Sequence, residues 1–500
     1  MRSDFAIVVL AAGKGTRLKS RRAKVLHRAG GQTLVEHVVR ACLPLGAPVY
    51  VVIGHQADEV RAALESAAAD VKTILQEPQL GTGHALTVAR SALKDARYAL
   101  VVPGDSPLIR TETLSFLHES HRISGPAATI LTAILDNPTG YGRIVRRQDG
   151  NVAAIVEEKA ADREQRKIRE INSSIYFLTL EDLWPCLDKL KPENVHKELY
   201  LTDAIVLLNA RKKEVAGIEA ADPREILGCN TRADLAEADR IFRARKRAAL
   251  MEAGVTMYLP ETTLVDAGVE IGPDTVIEPA VQLLGATRIG EGCTVRTGSV
   301  ISDSILEDGV TVRPHCVVAN TRLGAGAVVG PFAHLRDGAV LKPGARVGNY
   351  VEVKKSTLAE GVKAMHLSYI GDATVGRDTN IGAGTITCNY DGVRKNPTTI
   401  GERVFVGSGT ELVAPVKVGD GAYIAAGSTI TEDVPRESLA IARERQVNKE
   451  GWASRRRGGT AKKAKLEIRN SKPDSSRVAA HSISKPTRKT SRKKGSRARR

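Results

Sequence analysis

The chain has 500 residues, 42% of them hydrophobic, and carries 74 Lys and Arg against 57 Asp and Glu for a net charge of +17. That length has room for two or more domains with substantial cores. The charge does not mark a nucleic-acid-binding body. Residues 451–500 hold 18 Lys and Arg against Glu467 and Asp474, which leaves 56 basic and 55 acidic side chains in 1–450.

No run approaches the roughly 20 apolar residues that span a bilayer. No signal peptide is visible, since Asp4 precedes an apolar run that passes straight into a glycine turn. The six cysteines (Cys42, Cys186, Cys229, Cys293, Cys316, Cys388) are scattered without a close pair. They suggest neither a zinc site nor a disulfide framework, but reduced, buried thiols in a cytoplasmic protein.

From the N-terminus, Ala6 to Arg17 reads Ala-Ile-Val-Val-Leu-Ala-Ala-Gly-Lys-Gly-Thr-Arg. The aliphatic run predicts a buried parallel strand. Gly13 and Gly15 remove side chains where backbone must approach a bulky anion, and Lys14 and Arg17 supply cations beside it. The spacing fits neither the P-loop nor the Rossmann fingerprint: Gly-Lys-Ser/Thr is absent, and Leu18 stands where a third glycine belongs.

Further on, Val49–Gly54 and Tyr98–Pro103 predict strands, while Thr33–Leu43 and Gly83–Leu93 predict helices. The alternation argues for an open α/β sheet with ligands at the carboxyl ends of its strands, where Asp105 falls. Residues 231–253 carry a helical pattern ending at Gly254, read as a linker arm.

Beyond it the period becomes six. Ile271, Ile277, Leu283, Ile289, Val295 and Ile301 form one run. After a slip come Val317, Leu323, Val329, Leu335, Leu341, Val347 and Val353, then Ile400, Val406, Leu412, Val418, Ile424 and Ile430. A fixed hexapeptide period predicts a parallel β-helix, in which no repeat buries its face without its neighbours. Such a body serves either as an acyltransferase or as an inert assembly stalk.

Between Val353 and Ile400 the rhythm slips, and Lys354, Lys355, His366, Tyr369, Asn380, Asn389 and Tyr390 accumulate. A stalk gains nothing from such a break. Amide formation requires an amine without its extra proton, and histidine is suited to take that proton near neutral pH.

Several strings then resemble known proteins. Leu10 to Arg17, followed by Lys24-Val-Leu26, is similar to the signature of sugar-phosphate nucleotidyltransferases, with Ala23 in place of the usual proline. Asn349 to Lys355, His366 to Asp372 and Asn380 to Gly392 resemble the bifunctional N-acetylglucosamine-1-phosphate uridyltransferase/glucosamine-1-phosphate acetyltransferase family, and the likeness extends over about residues 5–452.

The resemblance implies a Rossmann-like nucleotidyltransferase domain over 1–230, a linker helix over 231–253 and a left-handed parallel β-helix of three repeats per coil over 254–452, usually trimeric. A basic, disordered tail is expected over 453–500. It implies acetyl transfer from acetyl-CoA to glucosamine 1-phosphate with His366 as general base. Arg336 and Lys354 hold the sugar phosphate, Tyr369 and Asn380 position the sugar, and Ala383, Asn389, Tyr390, Ser408, Ala426 and Arg443 line the coenzyme site.

The product then attacks the α-phosphorus of UTP, making UDP-N-acetylglucosamine for envelope polymers. Asp105 and Asn230 match the family's Mg²⁺ ligands. Leu10, Ala11, Ala12, Gly13, Lys24, Gln76, Gly81, Thr82, Pro103, Gly104, Asp105, Gly140, Glu157, Asn172 and Asn230 match its nucleotide-sugar contacts. Two more positions depart from the pattern: Ser174 where glycine is usual, and Pro103 where tyrosine is common. The former predicts altered backbone near the sugar. The tail is too polar to offset its ordering entropy, with weak, salt-sensitive binding to nucleic acid or anionic surfaces as its functional alternative.

Overall fold

The computed structural model describes residues 3–67, 70–193 and 197–458. The chain divides into two units, Met1–Ala442 and Arg443–Arg500. In the second, residues 452–458 are helical, with Arg456 over the Trp452 ring at 5.8 Å. The expectation of a disordered tail from 453 therefore fails over its first residues, while residues 459–500 lie outside those described.

The N-terminal sheet is built on Phe5–Ala11, whose residues are nearly all buried. Its strand order is Val215–Glu219, Ala128–Ile134, Glu170–Thr179, Tyr98–Pro103, Phe5–Ala11, Val49–Ile53, Lys72–Leu75. Phe5–Ala11 pairs in parallel with both Val49–Ile53 and Tyr98–Pro103. Glu170–Thr179 runs antiparallel to both of its neighbours on this path. Connections leave the central strand in opposite directions, so a crevice opens at its carboxyl end, where ligands bind in such sheets.

The helix expected over Thr33–Leu43 forms as Leu34–Cys42, because Thr33 caps it and Glu36 completes a capping box. The helix expected over Gly83–Leu93 is shorter, Thr82–Val88, and continues only as turns. No α-helix follows the glycine loop directly: Thr16–Leu18 is a single 3-10 turn, and the chain wanders to Leu34 before helix resumes. That wandering segment carries Lys24.

Arg232–Glu252 is one long helix, capped by Thr231 with Asp234 closing the box. It joins the sheet to a β-helix with three short strands per coil. Residue pairs such as Val276 with Thr294, then Thr311, then Val328 set a coil of 17 or 18 residues. One aliphatic side chain per strand points inward, each contributing roughly 1.5–3 kcal/mol by burial. Ile277, Leu283, Val295 and Ile301 are fully buried.

The register after Ile301 differs from the six-residue expectation. Inward positions are Leu306, Val312 and Val318, whereas Val317 is 42% exposed. Five-residue steps at 301–306 and 318–323 shift the phase at the corners. The break between Val353 and Ile400 likewise keeps its core, for Leu358, Ala364, Ile370, Val375 and Ile381 are all buried. Only residues 389–397 leave the coil, which is why Asn380 pairs with Phe405, 25 residues on.

The two bodies meet at the turn after Lys24. Gly30 O accepts from Ala267 N of the first coil at 2.9 Å, and Gly30 N donates to Asp239 of the linker helix at 2.8 Å. Asp266 is paired with Arg243 at 2.9 Å and accepts from Gly285 N at 2.9 Å. A Cβ on Gly31 would collide with Asp266, so glycine is required there.

Candidate active sites

At the carboxyl end of the central strand lies a cavity of about 660 Å³. Leu10, Ala11, Ala12, Gly13, Lys24, Gln76, Gly81, Thr82, Pro103 and Asp105 line it, as the sequence suggested. Lys14, Gly15, Thr16, Val25, Gln79, Ala85, Ser174 and Glu198 join them. Gly13 faces open space, leaving its backbone free to meet a ligand. Gly15 has φ +66°, and a Cβ there would collide with Lys24 Cβ, so its bare backbone at the cavity wall also makes room for the lysine.

Lys24 is ion-paired with Asp105 and donates to Asn230 Oδ1 at 2.8 Å, which also accepts from Arg17 at 2.6 Å. Cys229 N donates to Asp105 O at 2.9 Å, and this link brings the two segments together. Asp105 and Asn230 thus aim oxygens at one cationic position, a donor set of the hard kind that Mg²⁺ accepts. Among the described residues no group of three or more His, Cys, Asp or Glu could hold a metal.

Gly104, Gly140, Glu157, Asn172 and Asn230 do not line the cavity itself. Gly104 lies beneath it, donating to Leu10 O at 2.9 Å. Asn172 donates to Tyr176 Oη at 2.9 Å and accepts from Ser174 N at 3.1 Å, so the cavity-lining Ser174 connects it to the pocket. Burial, then the charges of Glu198 and Glu157, push the Tyr200 hydroxyl up to about 12.

The departures from the family pattern are accommodated. Ser174 holds φ +62°, a left-handed conformation that glycine takes without steric cost, so the serine here carries strain. Ala23 has φ −53°, within proline's range, and its N–H donates to Gln56 Oε1. Pro103 lies beyond the last pairing with Glu170–Thr179, so its missing N–H costs that ladder nothing.

The second site runs along one corner of the β-helix. Asn349 pairs with His366, and the coil register continues the column through Ala383, Ser408 and Ala426. Backbone bonds stitch it: Gly384 N to Leu367 O at 2.8 Å, Gly409 N to Ala383 O at 2.7 Å, Gly427 N to Ser408 O at 2.8 Å. His366 Nδ1 lies 2.9 Å from Asn349 Oδ1. A carbonyl oxygen facing Nδ1 favours the neutral tautomer with the proton on Nδ1, which leaves Nε2 as the acceptor.

Beside that column stands a cationic cluster. Arg336 is bound to Glu352 at 2.7 Å and to Asp337 at 2.6 Å, and the Glu352 carboxylate raises its pKa. Lys354 is largely buried, 3.8 Å from Asp372. Tyr369 lies over Gly371, two residues on in its own strand, where a Cβ would collide with its hydroxyl. Asn389 donates to Asp372 at 2.6 Å, and the exposed Tyr390 donates to Gly392 O at 2.6 Å. Asn380 opens the strand Asn380–Ile381, three residues before Ala383. Arg443 is the first residue of the second unit.

Sequence reasoning gave no role to Asn349, Glu352, Asp372 or Lys395. Asn349 was detectable as the residue one coil before His366. The others meet the site only through contacts between coils.

The MobA-like NTP transferase domain family matches residues 7–170, and the bacterial transferase hexapeptide family (six repeats) matches 397–432. The bifunctional protein GlmU of Koribacter versatilis is 49% identical over 464 residues, covering 92% of this chain and 98% of that protein. That of Pelobacter propionicus is 46% identical over 454 residues, covering 90% and 98%. That of Anaeromyxobacter dehalogenans (strain 2CP-1) is 48% identical over 459 residues, covering 91% and 94%. With both halves matched in order and nearly the full length shared, the chain belongs to the bifunctional GlmU family.

Proposed function

We infer that this chain makes UDP-N-acetylglucosamine in two steps, acetylating glucosamine 1-phosphate with acetyl-CoA and then transferring a uridylyl group from UTP with Mg²⁺. The observation that carries the reading is two chemically distinct sites on one chain: a cavity with a lysine held between Asp105 and Asn230, and an exposed imidazole on a β-helix that also carries the buried Lys354.

In acetyl transfer, His366 Nε2 takes a proton from the sugar amine as nitrogen attacks the thioester carbonyl, and coenzyme A leaves as the thiol. Asn349 fixes the ring and its tautomer. Arg336 and Lys354 hold the sugar phosphate, Tyr369 and Asn380 the sugar, and the Ala383, Ser408 and Ala426 column with Asn389 and Tyr390 receives the coenzyme. Small residues along that column support this assignment, since a long ligand must lie flat on them.

In uridylyl transfer, a phosphate oxygen of N-acetylglucosamine 1-phosphate attacks the α-phosphorus of UTP and pyrophosphate departs. The backbone of residues 10–16 and the cations of Lys14, Arg17 and Lys24 neutralise the charge that builds up. Asp105 and Asn230 would hold Mg²⁺, which supplies further charge neutralisation on the phosphates when bound. The hexapeptide fold and the family support a homotrimer, and the reading places the protein in the cytoplasm. Among the described residues no helix is long and apolar enough to cross a membrane. The basic tail has no part in either reaction.

Incubation with glucosamine 1-phosphate, acetyl-CoA, UTP and Mg²⁺ tests this. UDP-N-acetylglucosamine, free thiol and pyrophosphate are expected together, and omission of Mg²⁺ should leave N-acetylglucosamine 1-phosphate to accumulate. Pyrophosphate without thiol release, from supplied N-acetylglucosamine 1-phosphate, would reduce the β-helix to a stalk.

A further inference from the structure

Asp372 takes the corner held by Asp337 and Lys355 in the two preceding coils, and its contacts reach further than theirs. It follows the strand Lys363–Gly371 in left-handed backbone, φ +49°, and its side chain is only 11% exposed. Its backbone joins two other segments: N donates to Lys354 O at 3.1 Å, and O accepts from Thr398 N at 3.1 Å. Its carboxylate accepts from Asn389 Nδ2 at 2.6 Å and lies 3.8 Å from Lys354 Nζ and 3.9 Å from Lys355 Nζ.

Asn389 begins the segment where the chain leaves the coil, residues 389–397, and Thr398 is the first residue after it. One residue therefore holds both ends of that excursion and the buried lysine. Lys395, within the excursion, is pushed down in pKa by the nearby Lys354 ammonium, so this segment reaches back over the same cluster.

We propose that Asp372 is a positioning residue that couples the two substrate subsites of acetyl transfer, tying the phosphate-holding Lys354 to the excursion carrying Asn389 and Tyr390. The inference rests on the acetyl-transfer reading above. Seating the coenzyme against Asn389 and Tyr390 fixes the excursion, hence the carboxylate, hence the lysine. A sugar phosphate arriving afterwards meets a lysine already in place and loses less conformational freedom on binding. By linkage the effect is reciprocal.

Asp372→Asn separates the elements. The new carboxamide oxygen still accepts from Asn389, and asparagine tolerates left-handed backbone, but the negative charge facing the two lysines is gone. Asp372→Ser removes the charge with a smaller side chain and gives an independent second variant. Retained uridylyl transfer reports that each variant is folded.

The measurement is calorimetric binding of coenzyme A to the full chain, with and without saturating glucosamine 1-phosphate, a pair that cannot react. In the unaltered protein each ligand should tighten the other by about fivefold or more. In both variants the factor should fall below about twofold, while each ligand alone still binds. Coupling that is absent in the unaltered protein, or preserved in both variants, overturns the inference and leaves the site assignment standing. Failure of the unaltered protein to bind either ligand overturns the assignment and the inference together.

Discussion

Single residues in the sheet body carry its response to acid. His121 is wholly buried between the hydroxyls of Thr129, 2.8 Å from Nδ1, and Thr179, 3.2 Å from Nε2. Burial lowers its pKa to about 4 from an ordinary 6.5, and His37 is lowered likewise to about 4. The unfolded chain therefore binds more protons between these values. Stability is full above pH 6.5 and falls as pH drops toward 4, by up to about 3 kcal/mol for each histidine. Urea midpoints measured from pH 7 to pH 4.5 should fall in that window, and the fall should be shallower in His121→Asn. Ser174 makes a second expectation at this scale. Because it holds a glycine's φ of +62°, Ser174→Gly should raise stability by about 0.5–1 kcal/mol, read as a melting shift of a few degrees. The need for left-handed backbone at 174 was not legible in the sequence, which showed only that a usual glycine was missing. Nor was the role of Ala23, whose freed N–H finds Gln56 from 33 residues away.

At the scale of elements, the six-residue period made the β-helix legible before any coordinate was known, because every inward side chain meets its counterparts one coil above and below. What it did not reveal was phase. A corner that closes in five residues rather than six leaves two adjacent aliphatics as equal candidates, as at Val317 and Val318, and only burial decides. Val318→Ala should therefore cost about 2 kcal/mol and Val317→Ala less than about 0.5, compared through chemical denaturation. Equal effects would mean that the inward register has been misassigned. The same limit applied in the sheet body: the glycine-rich turn after the first strand was visible, but the long passage from Gly15 to Leu34 was not, since nothing local says that Gly15 is there to admit Lys24. Likewise the cavity-lining residues near Gly13 were legible as one contiguous string, while Gln79, Ser174 and Glu198 reach the same cavity from distant segments.

For the whole molecule, the division of charge was plain in the sequence, and the contact between its bodies was not. Asp266 of the first coil, Arg243 of the linker helix and Gly31 of the sheet body interlock through glycines that leave no room for side chains. Removing the carboxylate leaves Arg243 with only Asp239 in a largely buried setting, so Asp266→Ala should weaken this junction by several kcal/mol. Calorimetry should then resolve separate melting of the sheet body and the β-helix; a single unshifted transition would show that the junction bears little weight. Deleting residues 459–500 should leave both activities intact, and a loss of either rate beyond about twofold would assign the tail a part. The central claim, two independent chemistries on one chain, is tested most directly by reciprocal disabling. His366→Ala and Asp105→Asn are each assayed for thiol release from acetyl-CoA with glucosamine 1-phosphate, and for pyrophosphate release from UTP with N-acetylglucosamine 1-phosphate. His366→Ala should lose thiol release by at least about 100-fold and keep pyrophosphate release, with Asp105→Asn doing the reverse. Loss of both activities in either folded variant, or of neither, would contradict the assignment of one reaction to each site.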